Sequence, residues 1–78
     1  MSKTLRSRGH KALLAVLTAT RREAGLTQRD LAERLKKPRS YVSKVEAGER
    51  KLHTLEFIEW ARALKVDPEV LFRRVVRW

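Results

Sequence analysis

Cysteine is absent from this chain of 78 residues, and glycine and long apolar runs are scarce. Without thiols the protein has neither disulfides nor thiolate metal sites, which fits the reducing cytoplasm, where we expect it to reside. The three glycines form no glycine-rich phosphate loop. The longest apolar run, near residues 12–17, is far too short to span a membrane and lacks the cleavage context of a signal peptide.

Acidic residues are also few, and the charge balance is the strongest global signal. Nineteen lysines and arginines oppose nine aspartates and glutamates, which gives a net charge of +10 and an isoelectric point near 11.2. A balance of this kind favours a polyanionic partner, either nucleic acid or an anionic membrane surface. Residues 34–51 carry seven basic and two acidic side chains, so the charge is concentrated in one part of the chain.

Residue types that support catalysis or metal binding form no recognisable pattern. His10 and His53 stand alone, without metal-ligand spacing or a neighbouring carboxylate cluster. Glu56 and Glu59 suit a solvated helix face better than a catalytic acid pair. We therefore predict that the protein is not an enzyme and uses no metal, no cofactor and no small-molecule substrate.

Helical signals follow one another along the chain, which predicts an all-α fold. Residues 1–8 are polar and basic, and we interpret them as an arm that either reaches along DNA through Lys3, Arg6 and Arg8 or is a disordered terminus. The remainder, residues 9–78, is expected to form one small domain. Its five predicted helices span residues 9–24, 28–35, 38–46, 54–64 and 68–76.

Capping residues support these boundaries. Thr27 and Asp30 have the spacing of a capping box. Asp67 is a good helix cap and is followed by Pro68, a residue suited to the first turn of a helix. Gly25 is at the position where a glycine would end the first helix. The sequence thus marks the starts of the second and fifth helices and the end of the first.

The most informative segment is residues 26–45, LTQRDLAERLKKPRSYVSKV. Its apolar spacing predicts two short helices joined by a tight turn, with Pro38 in the first turn of the second helix. Ala32 allows the two helices to cross closely, and Val42 and Val45 are expected to face inward. The side chains left pointing outward are Arg39, Ser40, Tyr41, Ser43 and Lys44. A positively charged helix held at the surface of a small domain is what reading a DNA groove requires.

The order and spacing of GLTQRDLAERL, PRSYVSKVEAGERKL and FIEWARALKVDPEVLF resemble the repressor- and Cro-type helix-turn-helix regulators, or xenobiotic-response-element (XRE) family, over residues 9–73. The resemblance implies a compact five-helix, lambda-repressor-like fold and a sequence-specific, double-stranded DNA-binding transcriptional regulator, a repressor acting as a homodimer. One position departs from the family pattern. Lys36 stands where the family usually has glycine with positive φ, so either the turn differs locally or lysine costs about 1 kcal/mol there.

The resemblance also implies which residues contact DNA. Arg39, Ser40 and Lys44 match family positions that reach base edges, and the guanidinium of Arg39 suits guanine. We add Ser43 as a base contact because it lies near the helix start, and Tyr41 as a contact to a thymine methyl or the sugar-phosphate. The predicted phosphate contacts are Gln28, Thr27, Lys37, Arg50 and Lys51.

Three further groups of residues have predicted structural roles. The family often has a buried arginine–glutamate pair at the positions of Arg21 and Glu46. Trp60 is expected in the core, on a fourth helix whose inner side includes Leu55. The last helix carries more large apolar groups than its inner face needs, which predicts either a dimer interface or a Trp78 that folds back onto the core. The predicted interface residues are Val70, Phe72, Val76 and Trp78.

Two other functions remain open on the sequence alone. In the first, the chain is an antitoxin-like interaction module whose C-terminal helix binds a partner protein. In the second, it binds polyanions such as RNA or membranes without sequence preference. The second is disfavoured because the charge lies on a crossed-helix scaffold and only Tyr41 offers a stacking aromatic near it.

Overall fold

The computed structural model describes residues 7–78, in which five helices lie and no strand is present. The predicted five-helix, all-α fold is confirmed. We label the helices α1 (Arg8–Glu23), α2 (Gln28–Leu35), α3 (Arg39–Glu46), α4 (Thr54–Ala63) and α5 (Pro68–Arg77).

The first helix begins one residue earlier than the sequence predicted. The hydroxyl oxygen of Ser7 accepts a hydrogen bond from the backbone amide of His10 at 3.1 Å, so Ser7 caps α1. Arg8, which we had assigned to the basic arm, is therefore the first residue of α1. The arm's other two cations, Lys3 and Arg6, lie outside the described residues.

Hydrogen bonds at the helix starts explain where α2 and α5 begin. The backbone amide of Asp30 donates to Thr27 Oγ1 at 3.0 Å, and the Thr27 amide donates to Asp30 Oδ2 at 2.9 Å. The bond from the Thr27 amide lowers the pKa of Asp30. Asp67 Oδ1 accepts from the Glu69 amide at 2.8 Å, directly before the first turn of α5. Both predicted caps are confirmed.

Pro38 differs from its predicted place in the first turn of α3. Its backbone is extended, with φ −65° and ψ 152°, and the helix starts at Arg39. Proline accepts this conformation as readily as the helical one, because both share its fixed φ. The boundary shift leaves Arg39 as the first helical residue of α3.

The core forms where the inner faces of all five helices meet. Ala32 of α2 is almost fully buried, as expected for a residue at a close helix crossing. Trp60 is completely buried at the centre, which confirms its predicted core role. The other fully buried large side chains are Val16, Leu17, Leu31, Val42, Val45 and Leu71.

Leu55 is not part of this core, and the prediction that it faces inward is wrong. Its exposed fraction is 66%, whereas Glu56, Trp60 and Ala61 are the buried residues of α4. The residue next to a buried helical position points about 100° away from it, so burial of Glu56 turns Leu55 toward solvent.

The turn between α2 and α3 keeps the left-handed backbone that glycine usually provides. Lys36 has φ 59° and ψ 43°. The amide of Lys37 donates to the Ala32 carbonyl at 2.9 Å, and the amide of Lys36 donates to the Glu33 carbonyl at 3.1 Å. These bonds satisfy the last carbonyls of α2. The turn therefore has the usual geometry, and Lys36 is in a strained backbone conformation.

Replacing Lys36 by glycine is expected to stabilise the protein by about 0.5–1 kcal/mol, because glycine adopts positive φ without a Cβ clash. The neighbouring variant Lys37→Gly is the matched control, since it removes the same charge where φ is not positive. The control is expected to lose stability. Urea unfolding of both variants measures the difference, and a destabilised Lys36→Gly would contradict the prediction.

Candidate nucleic-acid interface

Helix α3, which we call the reading helix, presents a cationic surface next to its N-terminus. Arg39, Ser40 and Lys44 are exposed, while Val42 and Val45 are fully buried on the opposite side. Ser43 is half-buried, and its hydroxyl donates to the Ser40 carbonyl at 3.1 Å. Four of the five predicted base-contacting side chains thus lie on or beside the accessible side of the helix.

Tyr41, the fifth, is a correction, because its side chain does not point outward. Its exposed fraction is 9%, and it packs against Trp60 with a distance of 6.1 Å between the ring centroids. The hydroxyl accepts a hydrogen bond from Trp60 Nε1 at 3.1 Å and donates to Glu56 Oε2 at 3.3 Å. Burial raises the pKa of the Tyr41 hydroxyl. This side chain connects the reading helix to α4, a role that the sequence analysis missed.

A buried carboxylate organises this connection. We call Glu56, Arg50, Tyr41 and Trp60 the Glu56 cluster. Arg50 Nη1 lies 3.0 Å from Glu56 Oε1, and Arg50 Nη2 lies 2.9 Å from Glu56 Oε2, so the pair is bidentate. Glu56 Oε1 also accepts from the His53 backbone amide at 3.1 Å. The hydrogen bond from Arg50 is the main reason that the pKa of Glu56 falls to about 2.

This cluster shows that one prediction is wrong, and it gives a second predicted residue a partner within the protein. Glu56 was expected on a solvated face, but it is buried and ionised. Arg50 was expected on a DNA phosphate, but its guanidinium binds Glu56 and also donates to the Lys51 carbonyl at 2.8 Å. The available signal was the place of Glu56 three residues after the cap residue His53, where a carboxylate bonds back to the helix start.

A second buried network supports the C-terminal end of the reading helix. Arg21 Nε donates to Glu46 Oε2 at 2.7 Å, and Arg21 Nη2 donates to Glu46 Oε1 at 3.1 Å. Both side chains are more than nine-tenths buried. Arg21 Nη1 donates to the Leu26 carbonyl at 2.8 Å, and Gln28 Nε2 donates to Glu46 Oε1 at 3.0 Å. The structure thus brings α1, the start of α2 and the reading helix together through one carboxylate.

The other predicted phosphate contacts lie around the reading helix without forming one cluster. Lys37 and Lys51 are exposed, and Lys37 Nζ lies 5.4 Å from the centroid of the Tyr41 ring. Thr27 is exposed, but its Oγ1 accepts the capping bond from Asp30. Gln28 is half-buried because it binds Glu46.

The four predicted interface residues all lie exposed on or beside α5. The exposed fractions are 48% for Val70, 58% for Phe72, 66% for Val76 and 69% for Trp78. Trp78 therefore does not fold back onto the core. The ring of Phe72 contacts that of Phe57 edge to face, with 6.1 Å between the centroids, at the side of an apolar groove of about 470 Å³ between α4 and α5.

Two kinds of site are absent from residues 7–78. No group of three or more histidine, aspartate or glutamate side chains there is placed to hold a metal ion. In the same range, no helix is long and apolar enough to cross a membrane.

Several known proteins are similar to this chain. The helix-turn-helix family model matches residues 17–71. An XRE-family like protein from Pseudomonas syringae pv. tomato str. DC3000 is 40% identical over 96% of this chain and 92% of its own, with a TM-score of 0.87. The restriction-modification controller protein C.Esp1396I is 28% identical over 91% of each chain, with a TM-score of 0.84.

The same controller protein has also been solved as a tetramer in complex with its natural 35 base-pair operator. The controller chain in that complex is 28% identical to this chain, and the match covers 91% of this chain and 93% of the controller chain. The TM-score is 0.83. No curated protein sequence matches the chain.

Proposed function

Because the chain belongs to the XRE-type helix-turn-helix family, whose members are DNA-binding transcriptional regulators and not enzymes, we propose that it is a sequence-specific repressor that binds double-stranded DNA as a homodimer. One observation carries the proposal. The cationic N-terminal end of the reading helix is exposed, while the opposite side of the same helix is fully buried. A helix supported in this way enters the major groove as a rigid body.

The predicted contact residues other than Tyr41 and Arg50 each have a role in the proposed complex. Arg39 donates two hydrogen bonds to a guanine, and Ser40, Ser43 and Lys44 contact neighbouring bases or phosphates. Lys37 and Lys51 neutralise phosphates on the two sides of the groove. The remaining phosphate contacts are the side chains of Thr27 and Gln28 at the start of α2, where the helix N-terminus adds partial positive charge. Occupation of a promoter by this complex represses transcription by excluding other proteins.

A structural neighbour that has been solved in complex with its operator DNA supports this proposal. C.Esp1396I, which shares the fold of this chain along almost its whole length, is a controller protein solved on its operator. The single experiment that tests the function is the selection of bound sites from random duplexes, and recovery of no preferred sequence would refute it.

Arg39→Ala is expected to weaken binding to the selected site by about 1–3 kcal/mol and to relax the preference at one base pair. The reason is that alanine removes both donors from the base edge. Arg62→Ala is the matched control, because Arg62 is also an exposed arginine but lies in the last turn of α4 and not on the reading helix. Affinities for the selected duplex and for its single-base variants provide the measurement. Equal weakening on every sequence would assign Arg39 to a phosphate.

The homodimer is proposed to form through α5. Val70, Phe72, Val76 and Trp78 leave a large apolar surface in water. Leaving such side chains exposed forfeits roughly 1.5–3 kcal/mol each, which a two-fold symmetric interface recovers on both subunits. A dimer also places two reading helices ~34 Å apart, in successive major grooves. The apolar surface equally suits the antitoxin-like alternative, in which a partner protein covers it.

Phe72→Glu is expected to convert the dimer into a monomer at micromolar concentration, because the interface would then bury an unpaired carboxylate. Sedimentation equilibrium measures the mass, and Leu55→Glu is the control, because it introduces the same charge at an exposed apolar residue of α4 outside the proposed interface. A wild type that is monomeric at this concentration, or a Phe72→Glu protein that remains dimeric, would place the interface elsewhere or restrict it to the DNA complex.

A further inference from the structure

The Glu56 cluster connects the reading helix to the loop that follows it. Tyr41 belongs to α3, Glu56 and Trp60 belong to α4, and Arg50 lies in the loop between these helices. The hydroxyl of Tyr41 is bonded on one side to Trp60 and on the other to Glu56. Rotation or translation of the reading helix would therefore break hydrogen bonds inside a buried cluster, which is costly.

Arg50 is the most exposed member of the Glu56 cluster. Its guanidinium carbon lies 4.7 Å from the centroid of the Tyr41 ring, beside the first turns of the reading helix. The side chain is 41% exposed, so a phosphate bound beside the reading helix would have access to it. Both of its terminal nitrogens are nevertheless bonded to Glu56, which neutralises the charge.

We propose that Glu56 is a positioning residue for DNA reading, which fixes the orientation of the reading helix through Tyr41 and holds Arg50 in the protein so that Arg50 does not neutralise a phosphate. This inference rests on the proposed DNA-binding function. Glu56 touches no base in it. The carboxylate acts through the side chains that it orients, and base readout depends on such orientation because hydrogen bonds tolerate only small displacements.

The proposal makes two measurable statements about binding. Loss of the carboxylate should reduce the ratio of specific to non-specific affinity, since the reading helix is no longer held in one orientation. It should also steepen the dependence of affinity on salt, since Arg50 becomes free to neutralise one phosphate. A residue that only supports folding would not change the salt dependence in this direction.

The test uses Glu56→Gln, which keeps the size and one acceptor oxygen but removes the charge. We expect the specificity ratio to fall about tenfold, similar to the loss of one base contact. We expect the slope of log K against log salt to steepen by about 0.9 per protomer. Glu59→Gln is the matched control, because it removes the same charge from an exposed position of α4 and should change neither quantity.

Arg50 variants make the test independent of Glu56→Gln. Arg50→Gln alone should leave the wild-type slope unchanged, whereas Lys51→Gln should reduce it by about 0.9 per protomer. The double variant Glu56→Gln/Arg50→Gln should return the slope to the wild-type value. Circular dichroism establishes that each variant is folded, and if Glu56→Gln does not fold, the comparison of Arg50→Gln with Lys51→Gln decides the question.

The outcomes separate this inference from the proposed function. A wild type that prefers no selected duplex refutes sequence-specific binding itself. A sequence-specific wild type whose slope decreases in Arg50→Gln overturns the inference alone, because Arg50 would then be a phosphate contact. An unchanged specificity ratio and slope in folded Glu56→Gln would also overturn it.

Discussion

Raising the salt concentration from 50 to 200 mM is expected to weaken DNA binding by about three to five decades. This is the fall in affinity expected for a dimer that neutralises ~6–10 phosphates and releases their counterions. The basic excess in residues 34–51 is the basis of the prediction. In the structure Lys36, Lys37, Arg39, Lys44 and Lys51 from this segment are exposed.

Titration of a labelled duplex at several salt concentrations measures this response. The variant Lys51→Gln should reduce the slope of log affinity against log salt. Arg62→Gln removes an exposed charge in the last turn of α4 and should leave this slope unchanged. A nearly flat response of the wild type would contradict a phosphate-based interface. Such a result would leave the apolar α5 surface as the main binding feature and favour the antitoxin-like alternative.

Breaking the Arg21–Glu46 pair is expected to reduce the free energy of unfolding by about 3–5 kcal/mol. Both side chains are more than nine-tenths buried, so removing one leaves the other as an unpaired buried charge. Losing Glu46 also removes the acceptor of Gln28. A loss of this size is a large part of the total stability of a small domain, so the variants are best compared in the Lys36→Gly background.

A double-mutant cycle separates the pair from the rest of the network. Arg21→Ala, Glu46→Ala and the double variant should show a large coupling energy in urea unfolding, because the second substitution removes a charge that the first has already stranded. The control is the exposed pair of Arg74 and Glu23, at 3.4 Å, for which a coupling below ~1 kcal/mol is expected. A coupling near zero for Arg21 and Glu46 would show that they do not act as one unit.

Local chemistry made much of the fold predictable. The Thr27–Asp30 capping box, the Asp67 cap and Gly25, with φ 75°, mark helix boundaries through bonds and backbone angles that depend on a few adjacent residues. Helical periodicity was sufficient to predict the burial of Val42 and Val45. The exposed position of Arg39 followed from the same argument, since it lies on the side of the helix that these valines leave free.

Two of the predictions that failed, those for Tyr41 and Glu56, concern side chains that are buried where the reading helix meets α4. Tyr41 lies one turn before Val45, at the edge of the apolar face of the reading helix, and the packing of α4 against this edge buries it. Arg50 and Glu56 are charged residues that the sequence predicted to be exposed, but the structure places the guanidinium against the carboxylate and over the Tyr41 ring. Helical periodicity identifies the residues that share one face of a helix. It does not show how many sides of a short helix are covered by the other helices of the fold.

By itself, the sequence determined the number and order of the helices, the caps of α2 and α5, the cationic character of the reading helix and the family to which the chain belongs. These properties depend on residue type, spacing and net charge, which are local or additive. The tertiary structure decided which of the polar and charged groups are exposed to a partner and which are bonded within the protein. That distinction depends on the distance and burial of atoms from separate helices, as Arg39 and Arg50 illustrate: one is exposed, and the other binds a buried carboxylate.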